Sequence, residues 1–193
     1  MFTFGKKMNF WPLSLSLGLS VFIGLAFCLL FNFVAPNLIL WSLLPAVLFF
    51  ILMVAVYYPL ILQYGYNYCE ISQDQIKYYD FSNYWQKVMM VFRGPSSPMK
   101  AVPMSSVKSA KPYGKEDLTQ LPALAADFVF IGLFAGKMAT IKNAYGIELE
   151  LDNGDKLHIS TAREKADHHD QGIEKTHEAL HLIKHNIAMG QFA

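Results

Sequence analysis

Residues 8–69 read MNFWPLSLSLGLSVFIGLAFCLLFNFVAPNLILWSLLPAVLFFILMVAVYYPLILQYGYNYC, and contain no Asp, Glu, Lys, Arg or His. Lys7 stands just before this stretch and Glu70 just after it. Elements of a water-soluble fold keep one wet, charged face, so an uncharged run of this length belongs to lipid. It divides at Ala35-Pro36-Asn37, where proline disfavours helix at the residue before it and asparagine suits a turn. Two spans are expected, over 13–34 and 38–62. At a rise of ~1.5 Å per residue each crosses a hydrocarbon core of about 30 Å. Pro45 is expected to kink the second span near its start and Pro59 to weaken its end. Trp11, Trp41, Tyr57 and Tyr58 stand near the span ends, where amphipathic rings favour the interface.

A cleaved signal peptide is the competing reading, because Lys6 and Lys7 make a charged start. The apolar run is too long for a signal core, and no small-x-small cleavage site precedes the second run. Two uncleaved spans put both ends of the chain on one side. The basic residues lie outside the spans and the connecting turn is uncharged, which predicts a multi-pass cell-membrane protein with both termini cytoplasmic.

Ser16, Ser20, Gly24 and Cys28 recur every four residues on the first span. Such a ribbon of small side chains lets another helix approach closely. Packing against the second span of the same chain is the expected use; homo-oligomerisation is the other. Cys28 and Cys69 are read as free thiols.

Beyond the spans the texture becomes polar. Tyr68–Ser72, Gln75–Phe81 and Trp85–Phe92 read as strands. Gly94–Tyr113 is rich in proline and serine and reads as loop, with a short strand near Val107. Leu121–Ala135 is apolar apart from Asp127, and too short to be a full span. Ala139–Asn143 and Ile147–Leu151 read as strands around a turn at Ala144-Tyr145-Gly146. Asp152-Asn153-Gly154-Asp155 is a hairpin signal, followed by a return strand over Lys156–Ser160. Thr161-Ala162-Arg163-Glu164 fits a capping box that opens a helix over about 162–189. Ile173, Thr176, Leu180, Ile183 and Ile187 share one face of it.

The predicted fold class is therefore an α+β membrane protein: residues 1–66 form a transmembrane hairpin and 67–193 a small antiparallel β domain closed by an amphipathic helix. The stretches Lys137-Met138-Ala139-Thr140-Ile141-Lys142 and Ile147-Glu148-Leu149-Glu150-Leu151-Asp152-Asn153-Gly154, with the helix carrying Ala179-Leu180 and Leu182-Ile183, resemble the PH-like domains of bacterial membrane proteins. The whole layout also resembles the EbsA-like proteins of lactic acid bacteria. The resemblance implies two membrane helices ahead of a bent sheet closed by a C-terminal helix. It implies no catalytic residue.

His177-Glu178-Ala179-Leu180-His181 matches the zincin pattern, in which two histidines one helical turn apart hold zinc and the glutamate activates water. Catalytic zinc takes three protein ligands. His185 is ~12 Å from His177 by helical rise alone, too far to share an ion, and too little sequence follows His181 for a distant glutamate ligand. His177 and His181 are therefore weak metal candidates on what reads as a structural helix. Six histidines in the chain, all in this region, also suit a pH sensor, although plain surface composition explains them. From Phe81 to Tyr113 the charged residues are Lys87, Arg93, Lys100, Lys108 and Lys111, with Lys115 following. These are candidate contacts for anionic lipid or a partner. Tyr84, Trp85, Phe92 and Met99 lie among them, as on an interfacial surface.

A net charge of +1 gives no global field for nucleic acid. P-loop, dinucleotide and nucleophile-elbow signatures are missing from the sequence. The expected function is non-enzymatic and cofactor-free: a membrane-anchored PH-like domain that binds a partner protein or an anionic membrane surface. Its partners are the bilayer and a membrane or cytoplasmic protein. The alternatives are an accessory or pore-type subunit of a transport complex acting through the hairpin, and a zinc metallopeptidase.

Overall fold

The structure, a computed structural model, describes residues 1–34, 40–116 and 144–190. The apolar run forms two helices. The first is α1 (Trp11–Val34). The second covers Leu40–Gly65 and is long and apolar enough to cross a membrane, as α1 is. It is not uniform: α2 (Leu43–Ile51) passes into a π-helical turn at Leu52–Tyr57 and then into α3 (Tyr58–Gly65). Pro45 is the third residue of α2, and no break in the helix follows it directly. The irregularity falls instead just before Pro59, which cannot donate to the turn that precedes it. The Ala35-Pro36-Asn37 turn lies outside the described residues.

The chain divides into two compact units, each drawn from separate stretches. One comprises Met1–Lys7, Tyr64–Tyr79 and Pro98–Ala193; the other comprises Met8–Gln63 and Asp80–Ser97. This differs from a simple boundary at residue 66, because short segments cross over in both directions.

In the sheet unit, β1 (Phe2–Phe4), β2 (Cys69–Ile71), β3 (Gln75–Tyr78) and β4 (Lys100–Pro103) form an antiparallel sheet in that order. β1 precedes the apolar hairpin and β2 follows it, yet they pair, with Thr3 opposite Glu70. A second antiparallel sheet has the order β5 (Val107–Gly114), β6 (Tyr145–Leu151), β7 (Lys156–Ser160). Phe4, Cys69, Ile71 and Ile76 from the first sheet share one core with Ala110, Ile147, Leu149 and Ile159 from the second. Two helices close the chain: α5 (Ala162–Asp167) and α6 (His169–Gly190). Ala179, Leu180 and Ile183 of α6 complete that core. Thr176 is also buried, and Ile173 and Ile187 are half-buried, so the predicted stripe faces inward.

Several local expectations are corrected. Trp85–Phe92 is not a strand but lies in α4 (Tyr84–Arg93) of the hairpin unit. The Asn83 side chain accepts the Trp85 N–H at 2.9 Å, an N-cap, and Gly94 ends the helix at φ 52°. Those end signals outweigh the β-propensity of Trp, Val and Phe. Gly94–Tyr113 is not mainly loop: it carries β4 and most of β5. Among the described residues both are edge strands, the positions in a sheet that tolerate proline, and Pro103 and Pro112 lie on them. Tyr145-Gly146 is no turn but the start of β6. Gly146 is needed there because a Cβ would lie 2.0 Å from the Ile159 carbonyl oxygen of β7.

The capping box does not form. Thr161 makes no side-chain cap; its hydroxyl meets the Thr176 hydroxyl at 3.0 Å, and the Glu164 carboxylate accepts the Gly5 N–H. The closing helix is also not continuous over 162–189. It breaks at His168 (φ −145°), and α5 folds back on the first turns of α6, where a Cβ on Gly172 would stand 2.5 Å from the Glu164 carbonyl carbon. The Asn153-Gly154 hairpin is as expected: Gly154 has φ 83° and its N–H donates to the Leu151 carbonyl at 2.9 Å. The Ala139–Asn143 strand and the Leu121–Ala135 segment lie outside the described residues. The strands on either side of that stretch, β5 and β6, pair from Val107 opposite Leu151 to Gly114 opposite Tyr145.

Candidate functional surfaces

The small-residue ribbon is used inside the hairpin. Ser16 and Ser20 are 0% and 6% exposed, and a Cβ on Gly24 would stand 3.1 Å from the Ala46 Cβ. Each serine hydroxyl folds back on its own helix: Ser16 Oγ donates to the Pro12 carbonyl at 2.8 Å and Ser20 Oγ to the Ser16 carbonyl at 2.6 Å. The backbone bonds stay satisfied while the side chains stay slim. Cys28 is only partly buried, beyond the close approach. Most other large side chains of α1 point outward, among them Leu17, Val21, Phe22, Leu25 and Leu29. Trp11 and Trp41 are exposed, whereas Tyr58 is buried.

The hairpin unit also holds α4. Tyr84 donates its hydroxyl to the Ala55 carbonyl in the π-helical turn of the second span. At the other end of α4, the Phe10 ring lies where a Cβ on Gly94 would be, 2.7 Å away. Val88, Met90 and Val91 are buried while Trp85, Met89 and Phe92 are exposed. Lys87 and Arg93 both belong to this helix.

The other basic candidates lie in the sheet unit, and the strongest are already paired. Lys111 Nζ is 3.2 Å and Lys156 Nζ 3.3 Å from Glu148 Oε1, with His158 Nδ1 at 3.8 Å from the other oxygen. The Glu148 carboxyl is held below the usual range, first by Lys111 and next by Lys156. Lys108 Nζ is 3.9 Å from Glu150. Lys100 is on β4, and the Lys115 carbonyl accepts from Lys165 Nζ. The charge run in the sequence is thus divided between two units, and within β5 it alternates against the acids of β6.

The N-terminal strand is clamped by charges that sequence spacing gave no reason to connect. Glu70 accepts the Tyr68 hydroxyl at 2.8 Å and lies 3.1 Å from Lys7 Nζ; Tyr68 and then Lys7 hold its carboxyl below the usual range. Lys175 Nζ donates to the Thr3 carbonyl at 2.6 Å and lies 4.9 Å from the centre of the Phe4 ring. Glu164 is pushed upward by burial, against the Gly5 N–H. Burial also pushes the Cys69 thiol up.

The histidine helix carries His177, His181 and His185. His177 Nε2 lies 3.2 Å from Glu116 Oε1 and 3.4 Å from the Tyr145 hydroxyl. His181 and His185 are exposed on α6. Among the described residues, no three His, Cys, Asp or Glu side chains converge. No known protein family, no curated protein and no solved structure matches the chain.

Proposed function

We propose that this is a multi-pass membrane protein, both termini cytoplasmic, whose PH-like β domain is a non-enzymatic binding module for a partner protein. The observation that carries this reading is the pairing of β1 with β2 around the apolar hairpin. A hairpin whose two ends meet in one sheet leaves and re-enters the same side, as two spans require. Gly114 and Tyr145 share the second sheet, so that sheet too lies wholly on one side. The positive-inside bias of Lys6 and Lys7 assigns the side as cytoplasmic. Two antiparallel sheets with a shared core, closed by α6, support the PH-like reading, with the difference that β1 of the first sheet precedes the hairpin.

A partner protein fits the sheet unit better than a lipid surface does, because Lys108 and Lys111 are neutralised by Glu150 and Glu148. The ribbon of buried Ser16 and Ser20 with half-buried Gly24 against Ala46 favours a self-contained anchor over a hairpin that seats in a transport complex.

The test has two parts. A cysteine placed at Asn37 should react with an impermeant thiol reagent outside intact cells, and one at Asp155 only after lysis. Photo-crosslinkers placed in cells on the exposed faces of β5 and β7 should give discrete protein adducts, and one at Leu25 of α1 should not. Adducts confined to Leu25 would favour the transport-subunit reading, and labelling of both cysteines in intact cells would overturn the topology.

A further inference from the structure

The second apolar surface of the hairpin unit belongs to α4, a helix of 10 residues. Trp85, Met89 and Phe92 stand at i, i+4 and i+7, one face of a helix. They are 71%, 44% and 44% exposed. Met90 and Val91 on the far side, and Val88 at the edge of this face, are buried. Two contacts fix this helix against the spans. At its start, the Tyr84 hydroxyl reaches Ala55. Its end lies over the ring of Phe10, the residue before α1 begins. Gly24 of α1 packs at Ala46 of the second span; Trp11 is 13 residues from Gly24 and Ala55 is 9 from Ala46, so on opposed helices Ala55 lies about 6 Å deeper than Trp11. α4 therefore sits alongside the end of the hairpin at which the chain enters and leaves, near the level of Trp11 and short of the middle of a hydrocarbon core about 30 Å thick. Its open face continues the lipid-facing surface marked by Phe10 and Trp11, both exposed.

We propose that α4 is an in-plane membrane helix, with Trp85, Met89 and Phe92 seated in the headgroup–acyl boundary of the leaflet that holds Trp11. The inference rests on the membrane reading above. The chemistry of the face matches its position: an indole, a thioether and a phenyl ring enter the boundary region, and the helix carries Lys87 and Arg93 but no acid, as suits anionic headgroups. With Trp11 and Phe10 the helix makes an aromatic belt from segments far apart in the sequence.

Tryptophan depth in lipid nanodiscs tests this on the full chain. Trp11→Phe with Trp41→Phe leaves Trp85 as the reporter. A second protein lacking all three native tryptophans carries Leu25→Trp, a reporter within α1. Trp85 should lose about half its emission to lipids brominated near the headgroup end of the acyl chain, less to lipids brominated near the chain terminus, and little to aqueous iodide. The Leu25→Trp reporter should be quenched by bromine near the chain terminus. If Leu25→Trp is quenched by lipid while Trp85 responds to iodide alone, the in-plane helix is wrong and the membrane anchor stands. If neither responds to brominated lipid, the anchor reading fails and this inference with it. If Trp85 is shielded from both lipid and iodide, protein covers the face and the inference is overturned; disulfide formation between Met89→Cys chains would identify that protein as a second copy. A nitroxide on Met89→Cys in a Cys28→Ala background gives an independent reading that leaves the tryptophans in place. It should be more accessible to oxygen than to a polar nickel chelate, and the reverse would overturn the proposal.

Discussion

Tyr84 donates its phenolic hydroxyl to the carbonyl of Ala55, the residue four positions before Pro59. In an α-helix that carbonyl would receive the N–H of residue 59, which proline lacks. The π-helical turn at Leu52–Tyr57 and the tyrosine from a distant helix are two answers to one missing donor.

Tyr84→Phe should therefore destabilise the hairpin unit by about 1–2 kcal/mol, the usual cost of leaving a polar group short of a partner. Pro59→Ala restores the backbone donor, so Tyr84→Phe should cost much less in that background. Thermal unfolding in micelles measures both. An equal cost with and without Pro59 would show that Tyr84 stabilises the protein through its ring packing instead.

The two glycines of α1 make a second comparison. A Cβ on Gly24 would press on Ala46 at 3.1 Å, while one on Gly18 meets nothing within 4 Å. Gly24→Leu should weaken the hairpin by about 1–3 kcal/mol through overpacking, and Gly18→Leu should leave it unchanged. Protease resistance in micelles separates the two. Sensitivity at Gly18 would instead reveal a helix of another chain on that face.

The hairpin and the final strand pair were legible because each carries an uninterrupted signal: one a charge-free run, the other strict alternation ending in Asn-Gly. The features that were missed depend on partners far away in sequence. Phe2-Thr3-Phe4 is too short to announce a strand, and becomes one only because Glu70 and its neighbours offer an edge. Tyr84–Arg93 has the composition of a strand, and its helix rests on Asn83, Gly94 and the surface of the spans. Thr161 and Glu164 have the spacing of a capping box but are committed to Thr176 and Gly5. The ion pairs of Lys108 and Lys111 follow from β5–β6 register, which a count of charges cannot contain.

Gly154 tests the hairpin turn by itself. Its φ is 83° and a side chain there would meet no neighbour, so any cost of substitution is backbone strain alone. Gly154→Val should destabilise the sheet unit by about 1–2 kcal/mol, and Gly154→Asn by less, since asparagine tolerates the left-handed region. Chemical denaturation of the full chain in micelles measures the difference. Equal stability of all three proteins would mean the turn relaxes to another form.

Leu180 and Glu178 are close on α6 and should behave oppositely. Leu180 belongs to the core shared by both sheets, so Leu180→Asp buries a charge with no partner and should abolish folded protein. Glu178 is exposed, and Glu178→Gln should leave protein level and cellular function intact. Zinc at one ion per chain, with function lost in folded Glu178→Gln, would restore the peptidase reading.

Glu70 and Glu164 both hold the N-terminal segment in the sheet unit, and their pH dependences should have opposite signs. The Glu70 carboxyl is held below its ordinary value of about 4.3 by the Tyr68 hydroxyl and Lys7. Its contribution is present above that value and disappears as pH falls through the lowered folded-state pKa. Glu70→Gln should thus lower the melting temperature at neutral pH and converge with the unaltered protein in acid. Burial raises the Glu164 carboxyl, whose Oε2 is buried without a hydrogen-bond partner among the described residues. A raised folded-state pKa favours the protonated acid, so that contribution is complete below about pH 4.3 and is lost as pH rises through the raised value. Glu164→Gln is neutral at every pH and can still accept the Gly5 N–H. It should match the unaltered protein in acid and exceed its melting temperature at neutral pH. Melting curves from acid to neutral pH for the two variants should therefore separate in opposite directions as pH rises. A destabilised Glu164→Gln at neutral pH would show that the ionised carboxylate is the form the fold requires.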